Sequence, residues 1–142
     1  MRILGIDFGD KSIGLAVSDQ LLLTAQSLGR YRTVNEEEDK KFFKKLVNEY
    51  RVGEIVIGLP LRMDGSPGTR VEKTKEFAIW LGTTLDLPII FWDERLTTQQ
   101  AFKILHKHKM DGRKKKKLKD QVSATIILSS YLESRQVKSH GP

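Results

Sequence analysis

The first strand of the chain restricts the fold more than any other feature, because its apolar pattern carries a carboxylate near its end. Residues 2–10 read Arg-Ile-Leu-Gly-Ile-Asp-Phe-Gly-Asp. Side chains alternate between the two faces of a strand, so Leu4, Ile6 and Phe8 are expected on one face and Asp7 on the other. Burying an uncompensated carboxylate costs on the order of several kcal/mol. Asp7 therefore indicates either a nearby metal ion or phosphate-bearing ligand, or an aspartate that ends the strand in a turn.

The composition predicts one globular domain that spans residues 1–142. Charged residues make up 30% of the chain and hydrophobic residues 39%, which is typical of a folded protein rather than a disordered one. The absence of cysteine excludes disulfides and thiolate metal sites. The first residues lack the pattern of a signal peptide, and no apolar run is long enough for a membrane span. We therefore expect a cytoplasmic protein that does not bind membranes.

One short segment carries more than the whole net charge. The formal net charge is +7, whereas residues 103–119 alone hold nine lysines or arginines against one aspartate, which leaves the rest of the chain at −1. Such a segment is typical of a protein that binds a polyanion such as nucleic acid, and a solvated surface loop is the alternative interpretation. We expect a mobile basic loop at about residues 110–117. The basic residues are Lys103, Lys107, Lys109, Arg113, Lys114, Lys115, Lys116, Lys117 and Lys119.

The hydrophobic periodicity predicts antiparallel strands followed by strand–helix–strand units. The predicted strands cover about residues 2–8, 12–18, 21–33, 54–60 and 88–92, and the predicted helices cover about 36–52, 69–85, 97–108 and 118–133. The last residues, about 134–142, are expected to form a flexible tail. This order of elements predicts a mixed α/β sheet with helices on its faces, in which ligands bind at the carboxyl ends of the parallel strands.

Three acidic residues at the ends of predicted elements form the candidate site. Asp7 lies near the end of the first strand, Glu94 follows the last strand, and Asp120 lies near the start of the last helix. Asp93 is a further candidate ligand. Mg²⁺ takes a few carboxylates and completes its shell with water and phosphate oxygens, and two such ions activate a water and stabilise the leaving oxygen of a phosphodiester. Taken one at a time, each acid is more often an ordinary solvated carboxylate.

Four motifs in a fixed order resemble the bacterial YqgF/RuvX family over residues 1 to about 133. They are Ile6-Asp7-Phe8-Gly9, Gly58-Leu59-Pro60, Asp93-Glu94-Arg95-Leu96-Thr97-Thr98 and Asp120-Gln121-Val122-Ser123-Ala124-Thr125-Ile126-Ile127-Leu128. The resemblance implies a ribonuclease-H-like α/β fold: a five-stranded mixed sheet of order 3-2-1-4-5 with an antiparallel second strand, flanked by about four helices. It also implies a nuclease, described both as a Holliday junction resolvase and as the enzyme that matures the 5′ end of precursor 16S ribosomal RNA.

The resemblance also implies roles for individual residues. In this family the positions of Asp7, Glu94 and Asp120 are the catalytic acids that hold the metal, and the positions of Lys11 and Arg95 lie near phosphates.

Two residues depart from the family pattern. Arg62 stands where many members have asparagine, which implies that this loop contacts nucleic acid differently. Ser123 stands where related resolvases have a second acid on the last helix, so the number of bound metal ions stays open between one and two.

These observations predict a Mg²⁺- or Mn²⁺-dependent endonuclease that acts on structured RNA such as precursor rRNA, with branched DNA as the alternative substrate. Symmetric cleavage of a DNA junction would require a homodimer. A non-catalytic nucleic-acid-binding protein, such as a ribosome-assembly or transcription factor, explains the basic segment equally well. One lobe of an actin-like or sugar-kinase ATP-binding protein also opens with a strand, an aspartate and a glycine turn, but that architecture needs two lobes and this chain has the length of one.

Overall fold

Five strands form the central sheet of the protein. In the computed structural model, residues 1–61, 68–95 and 124–136 are described. The strands are β1 (Arg2–Phe8), β2 (Ser12–Ser18), β3 (Ala25–Arg32), β4 (Val52–Leu59) and β5 (Ile89–Asp93). Their order is β3-β2-β1-β4-β5, with β2 antiparallel to both neighbours and β4 parallel to β1 and β5. The predicted strand order is confirmed.

Three helices cover the faces of this sheet within the described residues. They are α1 (Glu36–Tyr50), α2 (Thr69–Leu85) and α3 at residues 124–136. α1 begins where the sequence predicts, because the side chain of Asn35 accepts a hydrogen bond from the Glu38 N–H and four acidic residues occupy the first turn. It ends at Arg51, which adopts a left-handed conformation with φ 52°.

The alternation of side chains along β1 separates two hydrophobic cores. Leu4 and Ile6 are fully buried and pack with Phe43 of α1 and Leu81 of α2. Each such side chain contributes roughly 1.5–3 kcal/mol when it is buried. Ile3 packs on the opposite face of the sheet, together with residues of α3. Because Asp7 alternates with Leu4 and Ile6, its side chain lies on the α3 side.

The parallel strands bring two of the predicted site residues, Asp7 and Glu94, to one edge of the sheet. The register pairs Ile6 with Ile57 and Leu59 with Asp93, so β1, β4 and β5 end at the same edge. Asp7 and Glu94 therefore emerge close together, at the edge where ligands bind in sheets of this kind.

The third strand begins later than the sequence predicts. We expected it to start at Leu21, but it starts at Ala25. The Asp19 carboxylate accepts hydrogen bonds from the N–H groups of Leu23 and Thr24 at 2.7 and 3.0 Å, and Leu22 has φ 60°. These contacts hold a turn in place of the first part of the expected strand.

Several predicted features lie outside the described residues. They are the helix at 97–108, the basic loop at 110–117, the first part of the last helix and the end of the tail. The described part of the last helix continues to residue 136, beyond its predicted end at about 133. Within the described parts of the chain, no helix combines the length and apolar character needed to cross a membrane.

Candidate active site

Asp7 and Glu94 lie side by side at the carboxyl edge of the sheet. Their side chains lie within hydrogen-bonding reach of each other, and this contact raises the pKa of Glu94. The Asp7 side chain is 22% exposed, and Glu94 is half-buried. The structure thus brings together two of the three acids that the sequence singles out.

Two glycines make room for the groups around Asp7. A Cβ atom built on Gly58 of β4 would lie 2.7 Å from Glu94 Oε1 and 2.6 Å from Ile127 Cδ1. Gly14 of β2 is the cross-strand partner of Asp7, and a Cβ atom there would lie 3.3 Å from Asp7 Cβ and 3.0 Å from Arg30 Nη1. Each glycine marks a place where another group approaches the strand closely.

Burial raises the pKa of Glu94 to about 7, from its ordinary value of 4.5, and the negative charge of Asp7 adds to the effect. The positive charge of Arg70 acts in the opposite direction and lowers the pKa of Glu94. Near neutral pH the Glu94 carboxyl is therefore about half protonated. An acid pair that retains a proton at this pH is short of positive charge, and a divalent cation can replace the proton.

Arg30 approaches Asp7 from β3. Its Nη1 atom lies 3.6 Å from Asp7 Oδ2. Its Nε donates a hydrogen bond to Ser12 Oγ at 2.8 Å, and its Nη2 donates to the Ser12 carbonyl at 3.2 Å. A positive charge therefore lies beside the acid pair on the β2 side.

Arg70 approaches the same edge from the first turn of α2. Its Nη2 donates a hydrogen bond to the carbonyl of Phe8 at 3.0 Å, and its Nη1 lies 3.4 Å from Asp10 Oδ2. Positive charge is unfavourable near a helix N-terminus, because the helix dipole is positive there. The contacts with Phe8 and Asp10, and the electrostatic interaction with Glu94, compensate this placement.

Asp93 and Arg95 pair with each other. Arg95 Nη2 lies 2.6 Å from Asp93 Oδ2, and Arg95 Nε donates hydrogen bonds to both carboxylate oxygens. The hydrogen bonds from Arg95 hold the pKa of Asp93 below its ordinary value. Asp93, the further candidate metal ligand, and Arg95, the candidate phosphate contact, thus partly neutralise each other's charge. Lys11 is exposed between β1 and β2, at the edge that carries Asp7.

Helix α3 packs directly on the face of the sheet that carries Asp7. A Cβ atom on Gly5 would lie 2.8 Å from Leu128 Cβ, and one on Gly14 would lie 3.5 Å from Ala124 Cβ. Asp120 precedes Ala124 by four residues in sequence and lies outside the described residues. The other residues that the sequence predicts as nucleic-acid contacts outside the described part are Arg62, Arg113, Lys114, Lys115, Lys116, Lys117 and Lys119.

The described residues contain two of the carboxyl groups that the sequence predicts as metal ligands. Within residues 1–61, 68–95 and 124–136, no group of three histidine, cysteine, aspartate or glutamate residues is arranged to hold a metal ion. Asp7 and Glu94 supply two adjacent carboxyl groups, the type of oxygen ligand that Mg²⁺ prefers.

Sequence reasoning misses both arginines of the site. Arg30 belongs to a strand without a clear pattern, and only Gly14, a glycine inside an alternating strand, signals that another group crosses β2. Arg70 carries a weaker signal, which is a positive charge in the first turn of a predicted helix.

Comparison with known protein sequences gives a consistent assignment. The sequence profile of the RuvX family, described as "Holliday junction resolvase", matches residues 1–134. A protein of Halothermothrix orenii is 45% identical over 141 residues, which cover 99% of this chain and 100% of that protein. A protein of Clostridium acetobutylicum is 47% identical over 134 residues, which cover 94% of this chain and 99% of that protein. Both carry the name "Putative pre-16S rRNA nuclease".

Solved structures show the same fold at low sequence identity. Thermus thermophilus RuvC in complex with a Holliday junction substrate has a TM-score of 0.57 and 12% identity, with 94% of this chain and 96% of that chain covered. A second structure of Thermus thermophilus RuvC also has a TM-score of 0.57, with 14% identity and 96% of each chain covered. The ribonuclease-H-like fold is thus confirmed. With a profile match over residues 1–134 and relatives of equal length at 45% and 47% identity, the chain belongs to the RuvX family.

Proposed function

We propose that this protein is a divalent-metal-dependent endonuclease that hydrolyses phosphodiester bonds in structured nucleic acid. The observation that carries the proposal is the contact between Asp7 and the half-buried Glu94, two carboxyl groups at the edge where ligands bind in sheets of this kind. Membership of the RuvX family and the names of the relatives support it.

The cofactor that we propose is Mg²⁺ or Mn²⁺. Asp7 and Glu94 would hold the ion, Asp120 would be a third ligand, and Asp93 is a further candidate. The packing of Ala124 against Gly14 supports the role of Asp120, because it places the described start of α3 beside Asp7. When bound, the ion supplies a Lewis acid that activates water and stabilises the charge on the phosphate.

The residues of the chain prepare the site by balancing its charge. Arg70 makes the ionisation of Glu94 less costly, because it lowers the pKa of that carboxyl. Arg30 and Arg70 offset the repulsion between the carboxylates and an approaching phosphodiester. Lys11, Arg62, Arg95 and the basic residues from Arg113 to Lys119 are the proposed contacts with phosphates along the strand.

The substrate that we propose is the 5′ end of precursor 16S ribosomal RNA. The names of the two relatives favour this RNA, and the family description favours a four-way DNA junction as the second candidate. Cleavage of a junction at two symmetric positions requires a homodimer. Precursor ribosomal RNA is a cytoplasmic substrate in bacteria, so the proposal implies a cytoplasmic protein.

The decisive test compares Asp7→Asn with a matched control, Asp86→Asn, at an exposed position that ends α2 at the opposite edge of the sheet. Both variants and the unchanged protein receive a precursor-rRNA end and a four-way DNA junction, with Mg²⁺, with Mn²⁺ and with chelator. We expect Asp7→Asn to abolish cleavage and to leave binding nearly intact, and Asp86→Asn to behave like the unchanged protein.

The outcomes separate the candidate functions. Metal-dependent products from the RNA alone support the proposed substrate, and products from the junction alone favour the resolvase activity. Ordinary cleavage by Asp7→Asn contradicts the site. Tight binding by the unchanged protein without any metal-dependent product favours a non-catalytic nucleic-acid-binding protein.

A further inference from the structure

Arg30 reaches Asp7 across an entire strand. Arg30 pairs with Gly14, and Gly14 pairs with Asp7, so the three residues form one row on the same face of the sheet. Because Gly14 has no side chain, the guanidinium passes over β2, and its Nη1 lies 3.6 Å from Asp7 Oδ2. Any larger residue at position 14 would meet Arg30 Nη1 at about the 3.0 Å found for a Cβ atom.

Ser12 fixes the guanidinium more closely than Asp7 does. The two hydrogen bonds to Ser12 measure 2.8 and 3.2 Å, whereas the distance to the Asp7 carboxylate is 3.6 Å, beyond the range of a direct hydrogen bond. Arg30 can thus keep its place when Asp7 turns toward another partner. Its side chain is 38% exposed, so it is also accessible to a ligand at this edge.

The fixed positive charge of Arg30 has opposite effects on the nucleic acid and on the divalent cation. Arginine binds a phosphate oxygen through charge-assisted hydrogen bonds, so it attracts the nucleic acid. The same charge repels a divalent cation that approaches Asp7. A phosphate that binds Arg30 neutralises this charge and removes the repulsion.

We infer that Arg30 is a phosphate-binding residue that places one backbone phosphate of the nucleic acid beside Asp7, and that its charge keeps the affinity of the site for free divalent cations low until that phosphate is bound. The inference rests on the proposed nuclease function, and it assigns to that site a substrate contact carried by β3. Arg30 acts here as a positioning residue. It places the phosphate of the nucleic acid and controls the affinity for the cation, and it takes no part in bond cleavage.

A purely structural ion pair has different consequences. An exposed pair between Arg30 and Asp7 would add a little thermal stability and would leave the salt dependence of nucleic-acid binding unchanged. A phosphate contact adds about 0.9 to the slope of log affinity against log salt for a duplex. The salt slope therefore distinguishes the two roles.

The experiment uses the full chain with Arg30→Gln, Arg30→Lys and the control Arg51→Gln. Arg51 is exposed and precedes the amino end of β4, at the edge opposite the site. Dissociation constants for a four-way DNA junction and for a precursor-rRNA end are measured across a salt series in the presence of chelator. Mn²⁺ binding is measured by calorimetry without nucleic acid, and thermal denaturation checks that each variant is folded.

We expect Arg30→Gln to weaken nucleic-acid binding about tenfold at fixed salt, to lower the salt slope by about one unit, and to raise the affinity for Mn²⁺ roughly fivefold. Arg30→Lys keeps the charge but loses the paired contacts with Ser12, so its salt slope should be retained while its affinity falls about threefold. Arg51→Gln should change none of these quantities by as much as twofold.

Arg30→Gln with the salt slope and Mn²⁺ affinity of Arg51→Gln would overturn the inference. If Arg30→Gln does not fold, Arg30→Lys decides, and unchanged nucleic-acid affinity in that variant overturns the inference as well. Failure of the nuclease proposal is recognised separately, as unchanged protein that binds both nucleic acids and yields no metal-dependent product.

Discussion

Both strands that flank Asp7 present a glycine to it, but the two glycines admit side chains of opposite charge. On the β4 side, Gly58 makes room for Glu94. On the β2 side, Gly14 makes room for Arg30. Asp7 thus lies between the carboxyl group of Glu94 and the guanidinium group of Arg30, which is held by Ser12.

The two sides also differ in how tightly they are packed. A Cβ atom at Gly58 would lie 2.6 Å from Ile127 and 2.7 Å from Glu94, whereas a Cβ atom at Gly14 would lie 3.0 Å from Arg30 Nη1 and 3.3 Å from Asp7 Cβ. A metal site requires fixed ligand geometry, and a contact with a mobile nucleic-acid backbone tolerates adjustment. The packing therefore agrees with a cation site on the β4 side and a phosphate contact on the β2 side.

Replacing the carboxyl group of Glu94 should have the largest effect on the rate of cleavage. Glu94→Gln deprives the cation of a charged ligand, so we expect cleavage to fall by roughly a thousandfold or more, since metal ions supply several kcal/mol of transition-state stabilisation. Nucleic-acid binding in the presence of chelator should stay within about threefold, in contrast to the about tenfold loss for Arg30→Gln. Single-turnover cleavage and equilibrium binding measure the two quantities. Cleavage by Glu94→Gln at the rate of the unchanged protein would contradict the role of Glu94 as a metal ligand.

Alanine at each glycine tests the difference in packing. Gly58→Ala should lower the free energy of unfolding by about 1–3 kcal/mol and reduce cleavage at least about tenfold, because Glu94 or Ile127 must move. Gly14→Ala should cost less than about 1 kcal/mol and reduce cleavage only a few-fold, because the contacts of its Cβ atom, 3.0 and 3.3 Å, are longer than those at Gly58. Urea denaturation and cleavage rates give both numbers. Equal effects, or the reverse order, would contradict the account.

The pKa of Glu94 predicts how cation binding depends on pH. Below about pH 7 the Glu94 carboxyl is protonated, and the cation must displace this proton. We expect the affinity for Mn²⁺ to fall as the pH is lowered through 7, by up to about tenfold per pH unit. Calorimetry between pH 5.5 and 8 measures this, and Glu94→Gln should show weak binding with little pH dependence. An affinity for Mn²⁺ that is constant over this range would contradict the assignment.

The same proton affects the stability of the cation-free protein. Native Glu94 binds a proton up to about pH 7, whereas an unfolded glutamate binds one only up to about 4.5. Between these values the native state holds more protons, so its free energy of unfolding decreases as the pH rises. Glu94→Gln should remove this decrease, as denaturant titrations at several pH values would show.

The smallest expected effect comes from Arg70. Because Arg70 lowers the pKa of Glu94, Arg70→Gln should raise that pKa, and the pH midpoint of Mn²⁺ binding should shift upward. Arg51→Gln is again the matched control. A shift to lower pH would contradict the role of Arg70 at the acid pair.

Much of the fold follows from local patterns in the sequence. The alternation along β1 predicts the two faces of the sheet, and α2 has the predicted bounds, Thr69–Leu85. The convergence of Asp7 and Glu94 follows from the rule that parallel strands end at one edge. The predicted start of β3 is wrong because the side chain of Asp19 holds a turn that hydrophobic patterning does not reveal.

The contact between Arg30 and Asp7 was beyond sequence reasoning for a physical reason. It depends on the register of three strands, and a slip of one residue would move Arg30 to the other face of the sheet. The register of β2 and β3 also shifts between Leu15 and Ala16, next to Gly29 with φ 86°, so counting residues does not give the pairing.

The most direct test of the central claim is anomalous X-ray scattering from crystals soaked in Mn²⁺ at pH 8. We expect a manganese peak within bonding distance of carboxylate oxygens of both Asp7 and Glu94, on the side of Asp7 that faces β4. Manganese bound elsewhere, with no peak beside Asp7 and Glu94, would contradict that claim.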